Sequence, residues 1–204
     1  MNQKIFYVCG MLVPFVYIFM YILGGALRPG YSHISDSVSE LLSPGSPNKT
    51  LLDILNVTFA LLYILFGIGV FRFVRGSEYN ALIGRIGAVM IIAVGVASVG
   101  SAIFPQDATG TPPTLPGMIH VILVFGVQIP GAILSTLLIG IWFKRTDIFP
   151  GFATYSFISV GAIVLLGILA GPAMGTPIMG LVERIGAFAV HQWVFILALL
   201  LFLH

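Results

Sequence analysis

The sequence predicts an all-α membrane protein, a six-transmembrane-helix bundle with a short amphipathic outer interfacial helix in the first loop. Of its 204 residues, 58% are apolar and only 8% are charged, whereas an ordinary soluble domain carries about 25% charged residues. The apolar residues fall into six runs long enough to cross about 30 Å of hydrocarbon. A water-soluble globule is therefore excluded, and membrane lipids are the expected partners. A net charge of +2 is too small to hold nucleic acid, and no nucleic-acid partner is expected.

The six runs form a single integral membrane domain over residues 1–204. Polar residues, Pro and Gly separate them, and the predicted spans are 5–27, 51–73, 83–104, 117–143, 152–171 and 181–203. The first run exceeds the apolar stretch of about 7 to 15 residues found in signal peptides, so we expect it to be retained. Gly126, Gln128, Pro130 and Gly131 interrupt the fourth run and predict a kink there.

The distribution of Lys and Arg predicts the orientation of the bundle, because these bases resist translocation. Six of the nine bases lie in the N-terminal tail, the second loop or the fourth loop, namely Lys4, Arg72, Arg75, Arg85, Lys144 and Arg145. The opposite side has Arg28, Lys49 and Arg184. We therefore expect a multi-pass protein of the cell membrane, with both termini cytoplasmic and the first, third and fifth loops outside.

The first outer loop is the longest connection and supplies the amphipathic helix. Apolar residues recur there at helical spacing, at Ile34, Val38, Leu41 and Leu42, and predict a helix lying at the membrane interface. His33 and Asp36 are candidate catalytic residues, and Ser39 and Glu40 are candidate binding residues. Glu40 also has capping-box spacing from Ser37, so a purely structural role competes with a functional one.

The third outer loop supplies two further candidate catalytic residues, Asp107 and His120. Four prolines stiffen this loop, and His120 follows one turn after Pro116, at the outer end of the fourth span. Asp107 has the alternative of an Asx turn or a cap on a neighbouring amide. His120 has the alternative of a hydrogen bond to a loop carbonyl.

The start of the sixth span supplies three candidate binding residues, Glu183, Arg184 and His191. Arg184 and His191 are seven residues apart, which places them on one helical face. Glu183 has the alternative of favouring a helix N-terminus, and Arg184 that of reaching lipid headgroups. Because three outer loops leave one end of a narrow bundle, we expect them to converge. Asp36 or Glu40 should then approach Arg184, and Asp107 should approach His120 or His33.

The order of these motifs resembles the "domain of unknown function 998" family, prokaryotic six-helix membrane proteins. The similarity rests on Ser37-Val-Ser39-Glu40-Leu41 with Pro47-Asn48, on Phe104-Pro105-Gln106-Asp107, on His120, and on Glu183-Arg184. It covers nearly the whole chain. The resemblance implies a six-helix bundle with the motif residues clustered at one face, and it implies no reaction.

Three classes of function follow from these residues. The first is a polar His/Asp/Glu/Arg site at the outer face that binds or processes a lipid or small amphiphile. The second is a membrane-embedded metal-dependent hydrolase, in which His33, His120, His191 and Asp107 are candidate ligands of zinc. The third is a structural or accessory membrane protein whose polar residues only join the loops. The sequence commits to no metal ligand, no reaction and no oligomeric state.

Overall fold

Helices make up the protein, and six of them are long and apolar enough to cross a membrane. The computed structural model describes residues 3–77 and 81–204. Within these residues the helices are α1 (Gln3–Leu27), α2 (Lys49–Arg75), α3 (Leu82–Ile103), α4 (Leu115–Leu123), α5 (Ile129–Thr146), α6 (Phe152–Ala173) and α7 (Met179–Leu203). The predicted all-α bundle of six spans is confirmed.

The fourth span is one continuous stretch, Leu115–Thr146, made of α4, a π-helical segment at Val124–Gln128 and α5. The predicted irregularity thus takes the form of a π-helical turn. Pro130 follows directly, and because proline has no N–H it cannot continue the α-helical hydrogen bonding of this turn. The Gln128 amide in this turn donates to the Ser101 hydroxyl of α3, at 2.8 Å.

The first loop contains a short helix, as predicted, although it covers only the 3-10 turn Ser39–Leu42. Leu41 and Leu42 are buried against α1 and α2, so the turn is packed into the bundle. Ile34 lies outside it and is 57% exposed. In this loop, side-chain oxygens accept hydrogen bonds from backbone amides, in place of the carbonyl oxygens that a longer helix would provide. The Asp36 carboxylate accepts from the Ser32 amide, and the Ser37 hydroxyl accepts from the Glu40 amide.

The spans form a closed ring in the order α1, α2, α3, α5, α6 and α7, with α7 packed against α1. Glycines allow close helix approach, because a Cβ at Gly67 would overlap Ile92 of α3, at 2.7 Å, and one at Gly140 would overlap Ser156 of α6, at 2.8 Å. Aromatic residues such as Trp142 and Trp193 fill the core. α4 packs against α3 and the π-helical segment, whereas α6 packs against α5 and α7. The ring is therefore wider at the end where α4 begins.

Candidate functional site

A cavity of about 1440 Å³ occupies the wider half of the bundle. We call the end of the bundle formed by the first, third and fifth loops the odd-loop end. The cavity extends from these loops to the middle of α1, α2 and α7. Ligand-binding cavities typically measure about 300 to 1,000 Å³. The space is thus large enough for a ligand of considerable size.

One wall of the cavity carries polar side chains that have few hydrogen-bond partners within the protein. We call this the polar wall, and it consists of Tyr17, Asn56, Tyr63, Glu183 and His191, all of which line the cavity. Asn56 is 7% exposed, Tyr63 is 2% exposed and His191 is 7% exposed. Within residues 3–77 and 81–204, the side chains of these three residues and of Tyr17 make no hydrogen bond to another protein group. Their polar atoms are not among the fully enclosed ones, so they face the cavity, where water or a ligand can supply their hydrogen bonds.

Glu183 differs from the other members of the polar wall in having one protein partner. Its Oε2 accepts from the Val38 amide at 2.8 Å. No hydrogen bond or ion pair reaches Oε1 from the part of the chain that the structure describes. The carboxylate thus holds the first loop with one oxygen and leaves the other available inside the cavity.

The opposite side of the cavity is apolar. We call this the apolar wall, and it consists of residues on α4, on the π-helical segment and on α6, namely Val121, Ile122, Phe125, Ile163, Leu166 and Ala170. α4 and α6 pack against different neighbours, and both line the cavity, which therefore extends between them; we call this space the gap. The cavity therefore combines a polar wall on α1, α2 and α7 with an apolar wall beside this gap.

Arg184 lies outside the cavity lining and joins the first loop to α7. Its guanidinium donates to the carbonyl oxygens of His33, Asp36 and Gly180, at 2.8, 3.0 and 2.8 Å, and to the Tyr31 hydroxyl. Gly180 permits this approach, because a Cβ there would overlap the Asp36 carbonyl oxygen. The sequence placed Arg184 and His191 on one face, but Glu183 is the residue that shares the cavity with His191. Glu183 and Arg184 are adjacent on α7, and of the two only Glu183 faces the cavity.

Arg28 and Glu40 form an ion pair at the odd-loop end, at 3.2 Å. Glu40 also accepts from the Thr109 hydroxyl at 2.8 Å, which ties the first loop to the third. Of the two acids expected to approach Arg184, Glu40 does not, because its carboxylate pairs with Arg28. Asp36 does approach Arg184, but through its backbone carbonyl. The three loops converge as expected, held together mainly by hydrogen bonds.

His33 and Tyr31 pack beside Arg184 in the first loop. The ring centroid of His33 lies 5.2 Å from that of Tyr31 and 5.9 Å from that of Tyr21. Burial, and secondarily the charge of Arg184, lower the pKa of His33. Burial raises the pKa of Tyr31 to about 12, although Arg184 opposes this shift. Both groups are therefore neutral near pH 7 and stabilise the loop through packing.

Asp107, His120 and Ser39 join the third loop to its neighbours. Asp107 accepts from the Thr114 hydroxyl and amide, at 2.6 and 2.9 Å, and these two hydrogen bonds lower its pKa. His120 Nδ1 lies 3.0 Å from the Phe104 carbonyl oxygen, and Nε2 lies 3.3 Å from the Ser39 hydroxyl. Asp107 is close enough to His120 to act on its charge, with no hydrogen bond between them. Asp107 thus accepts from a neighbouring amide and His120 contacts a carbonyl oxygen, as the structural alternatives for these two residues predicted.

Comparison with known proteins agrees with this architecture. A family model described as "Protein of unknown function (DUF998)" matches residues 11–200. The chain belongs to this family. No curated protein and no solved structure matches the chain.

The four candidate metal ligands of the DUF998 protein do not fit a zinc site. Within residues 3–77 and 81–204, no group of three or more His, Cys, Asp or Glu side chains has the arrangement that a metal ion needs. His120 is held by Phe104 and Ser39, Asp107 by Thr114, and His191 by the rings of Tyr17 and Phe59. His33 packs between two tyrosines. The four candidate ligands thus face different neighbours and do not converge on one zinc position.

Sequence reasoning missed three residues of the polar wall, Tyr17, Asn56 and Tyr63. Asn56 had a usable signal, because a lone amide inside an apolar span is costly in lipid and marks a position facing the bundle interior. The two tyrosines had no comparable signal, since tyrosine is common near membrane interfaces. Their role emerges only from the cavity that the packed helices enclose.

Proposed function

We propose that this DUF998 protein binds an amphiphilic molecule, a lipid or small amphiphile, in the cavity at the odd-loop end. The polar group of the ligand would lie against the polar wall, and its hydrocarbon part against the apolar wall. The observation that carries the proposal is a large cavity in which polar groups with few protein partners face an apolar surface. We place this end at the outer face of the membrane on the distribution of Lys and Arg.

The chemistry of the two walls favours an amphiphile over a purely polar or purely apolar ligand. An apolar ligand would leave the Asn56 amide and the Tyr63 hydroxyl without hydrogen bonds, at a cost of about 1 to 3 kcal/mol for each buried group. A small polar solute would leave Ile122, Phe125 and Leu166 facing an aqueous space. A molecule with one polar end and one apolar end satisfies both walls.

The gap between α4 and α6 supports entry from the membrane. Ile122 of α4 and Ile168 of α6 are 64% and 67% exposed, and in a bilayer such side chains face lipid. The apolar wall continues from this gap into the cavity. A hydrocarbon chain can therefore pass between bilayer and cavity without crossing water.

The polar residues of the loops support binding indirectly. Glu40 with Thr109 joins the first loop to the third loop, Arg184 joins it to α7, and His120 with Ser39 joins it to α4. Most of their polar atoms have partners within the protein, so these residues hold the loops in place at the odd-loop end of the cavity. This combines the structural hypothesis for these residues with a binding function for the cavity.

A blocking substitution tests the proposal. In Ala170→Trp, an indole projects into the cavity from α6, and in the matched control Ile168→Trp it projects from an exposed position of the same helix. Binding of tritiated dodecylamine, dodecanol and dodecanoate to the protein in nanodiscs would be measured as the excess over empty nanodiscs.

We expect saturable binding of at least one of these amphiphiles to the parent protein and to Ile168→Trp. Binding should fall at least tenfold in Ala170→Trp, with thermal unfolding confirming that both variants are folded. Equal binding by Ala170→Trp and Ile168→Trp, or no saturable binding to the parent protein, would overturn the proposal.

A further inference from the structure

The charges around the cavity are not equally available to a ligand. Among the described residues, five charged side chains line the cavity: Arg28, Asp36, Glu40, Asp107 and Glu183. Four of them are used within the protein. Arg28 pairs with Glu40, the Asp36 carboxylate accepts from Ser32 and Ser35, and Asp107 accepts from Thr114.

Glu183 is the exception, because Oε1 has no partner in the described chain. Arg184, its neighbour in sequence, directs its guanidinium to the first-loop carbonyls. None of its nitrogens lies within ion-pair distance of the Glu183 carboxylate. The charged atom that remains available to a ligand is thus Glu183 Oε1, a negatively charged acceptor. Among the described residues that line the cavity, the one Lys or Arg side chain is Arg28, which is paired with Glu40.

The surroundings of Glu183 suit a positively charged group. Tyr17 lines the same cavity as Glu183. Its ring packs with those of Phe59 and His191, with centroids 5.4 and 4.6 Å away. Aromatic rings attract ammonium groups through the negative potential of their faces. The Asn56 amide oxygen offers a further acceptor for an N–H group.

From these observations we infer that the polar wall recognises an amine, and that Glu183 binds the ammonium group of the amphiphile. This inference rests on the proposed binding function and specifies the chemical class of its ligand. An anionic head would face the Glu183 carboxylate without any available cation in the described lining. The cavity therefore discriminates against fatty acids and anionic lipids and in favour of alkylamines.

The three dodecyl amphiphiles test this inference, because they share a chain and differ in charge. Near pH 7 the amine is protonated and the carboxylic acid is ionised, since such groups titrate at about 10.4 and 4.3. We expect dodecylamine to bind the parent protein in nanodiscs at least tenfold more tightly than dodecanol, and dodecanoate to bind most weakly.

Glu183→Gln removes the charge while keeping an oxygen that accepts from the Val38 amide. We expect it to abolish the preference for dodecylamine over dodecanol. Asp53→Asn is the control, because Asp53 pairs with Lys49 on α2 and does not line the cavity. This control should keep the preference for the amine.

The outcomes separate the two proposals. If Ala170→Trp blocks all three amphiphiles but the parent protein shows no preference for dodecylamine, amine recognition is wrong and amphiphile binding stands. If Glu183→Gln keeps the full preference, Glu183 is not the ammonium site. Should Glu183→Gln fail to fold, the affinities of the parent protein alone decide, since equal or tighter binding of dodecanoate overturns the inference.

Discussion

Arg184→Gln removes the side chain that holds the first loop onto α7. In the structure the guanidinium donates to two first-loop carbonyl oxygens, those of His33 and Asp36, and to the Tyr31 hydroxyl. A glutamine is too short to reach the same set of acceptors. The substitution therefore leaves carbonyl groups without their charged donor in a partly buried position.

The expected loss follows from these contacts. A hydrogen bond to a charged group contributes about 1.5 to 3 kcal/mol. Losing the two bonds to the first-loop carbonyls, at the lower end of that range because the site is partly exposed, lowers the free energy of unfolding by about 3 to 4 kcal/mol. Removing one partner of a buried ion pair costs a similar amount, about 3 to 5 kcal/mol, but the cause here is different. No carboxylate of the described residues lies within ion-pair distance of Arg184.

Reversible unfolding in one detergent would measure the loss, with Arg85→Gln as the control. Arg85 is exposed on α3, and its replacement should change the free energy of unfolding by less than about 1 kcal/mol. Double variants identify the cause. Tyr31→Phe should be coupled to Arg184→Gln, and Asp36→Asn should not rescue it, because the carbonyl and not the carboxylate binds Arg184. A loss below 1 kcal/mol, or rescue by Asp36→Asn, would refute this reasoning.

Three further predictions concern the loops and the orientation. Gly117→Ala should lower the free energy of unfolding relative to Gly161→Ala, because its Cβ would overlap the Asp107 carboxylate and displace it from Thr114, whereas a Cβ at Gly161 meets open space. Because the pKa of Asp107 is lowered in the folded protein, its stabilising effect is present above its ordinary pKa and lost as the pH falls through the folded value. The stability difference between the parent and Asp107→Asn should therefore shrink on acidification from pH 6 and persist at neutral pH. In a cysteine-free background, Thr111→Cys should react with an impermeant maleimide from outside and Ser77→Cys only from inside; the reverse pattern would invert the orientation.

The spans could be predicted from the sequence because one physical requirement dominates them. A backbone in lipid must satisfy its own hydrogen bonds, so long apolar runs have little choice but to be helical. The fourth span begins at Leu115, two residues before its predicted start, because the Thr114 side chain accepts from the Gly117 amide. Such small shifts depend on capping contacts that the hydropathy of the run does not record.

The first loop shows where the pattern of apolar residues is insufficient. Its spacing predicts a helix from Ile34 to Leu42, but the structure has only the turn Ser39–Leu42. Ser and Asp side chains compete for backbone donors in such segments. Glu183 also takes the Val38 amide from a distant helix. Long-range contacts of this kind cannot be found from local periodicity.

The candidate site could be predicted in part because charged residues in a membrane chain are few and easily noticed. Glu183 and His191 were identified in this way, and both line the cavity. The neutral polar groups were harder, because Tyr17 and Tyr63 resemble many other aromatic residues of the chain until the packing places them on one surface. The sequence also drew attention to Arg184 and Glu40, whose charges are used to hold the loops.

The two neighbouring residues Glu183 and Arg184 therefore have separable roles, and the experiments can distinguish them. Arg184 has its donors in the first loop, so its loss should act on stability. Glu183→Gln keeps an oxygen that accepts from the Val38 amide, so it should act mainly on the choice of ligand. Because that hydrogen bond is kept with a neutral acceptor, the free energy of unfolding should fall by less than about 1 kcal/mol. If Arg184→Gln abolished the preference for dodecylamine in folded protein while Glu183→Gln left it intact, the roles would be the reverse. A preference that survived both substitutions would place the recognition of charge elsewhere in the cavity.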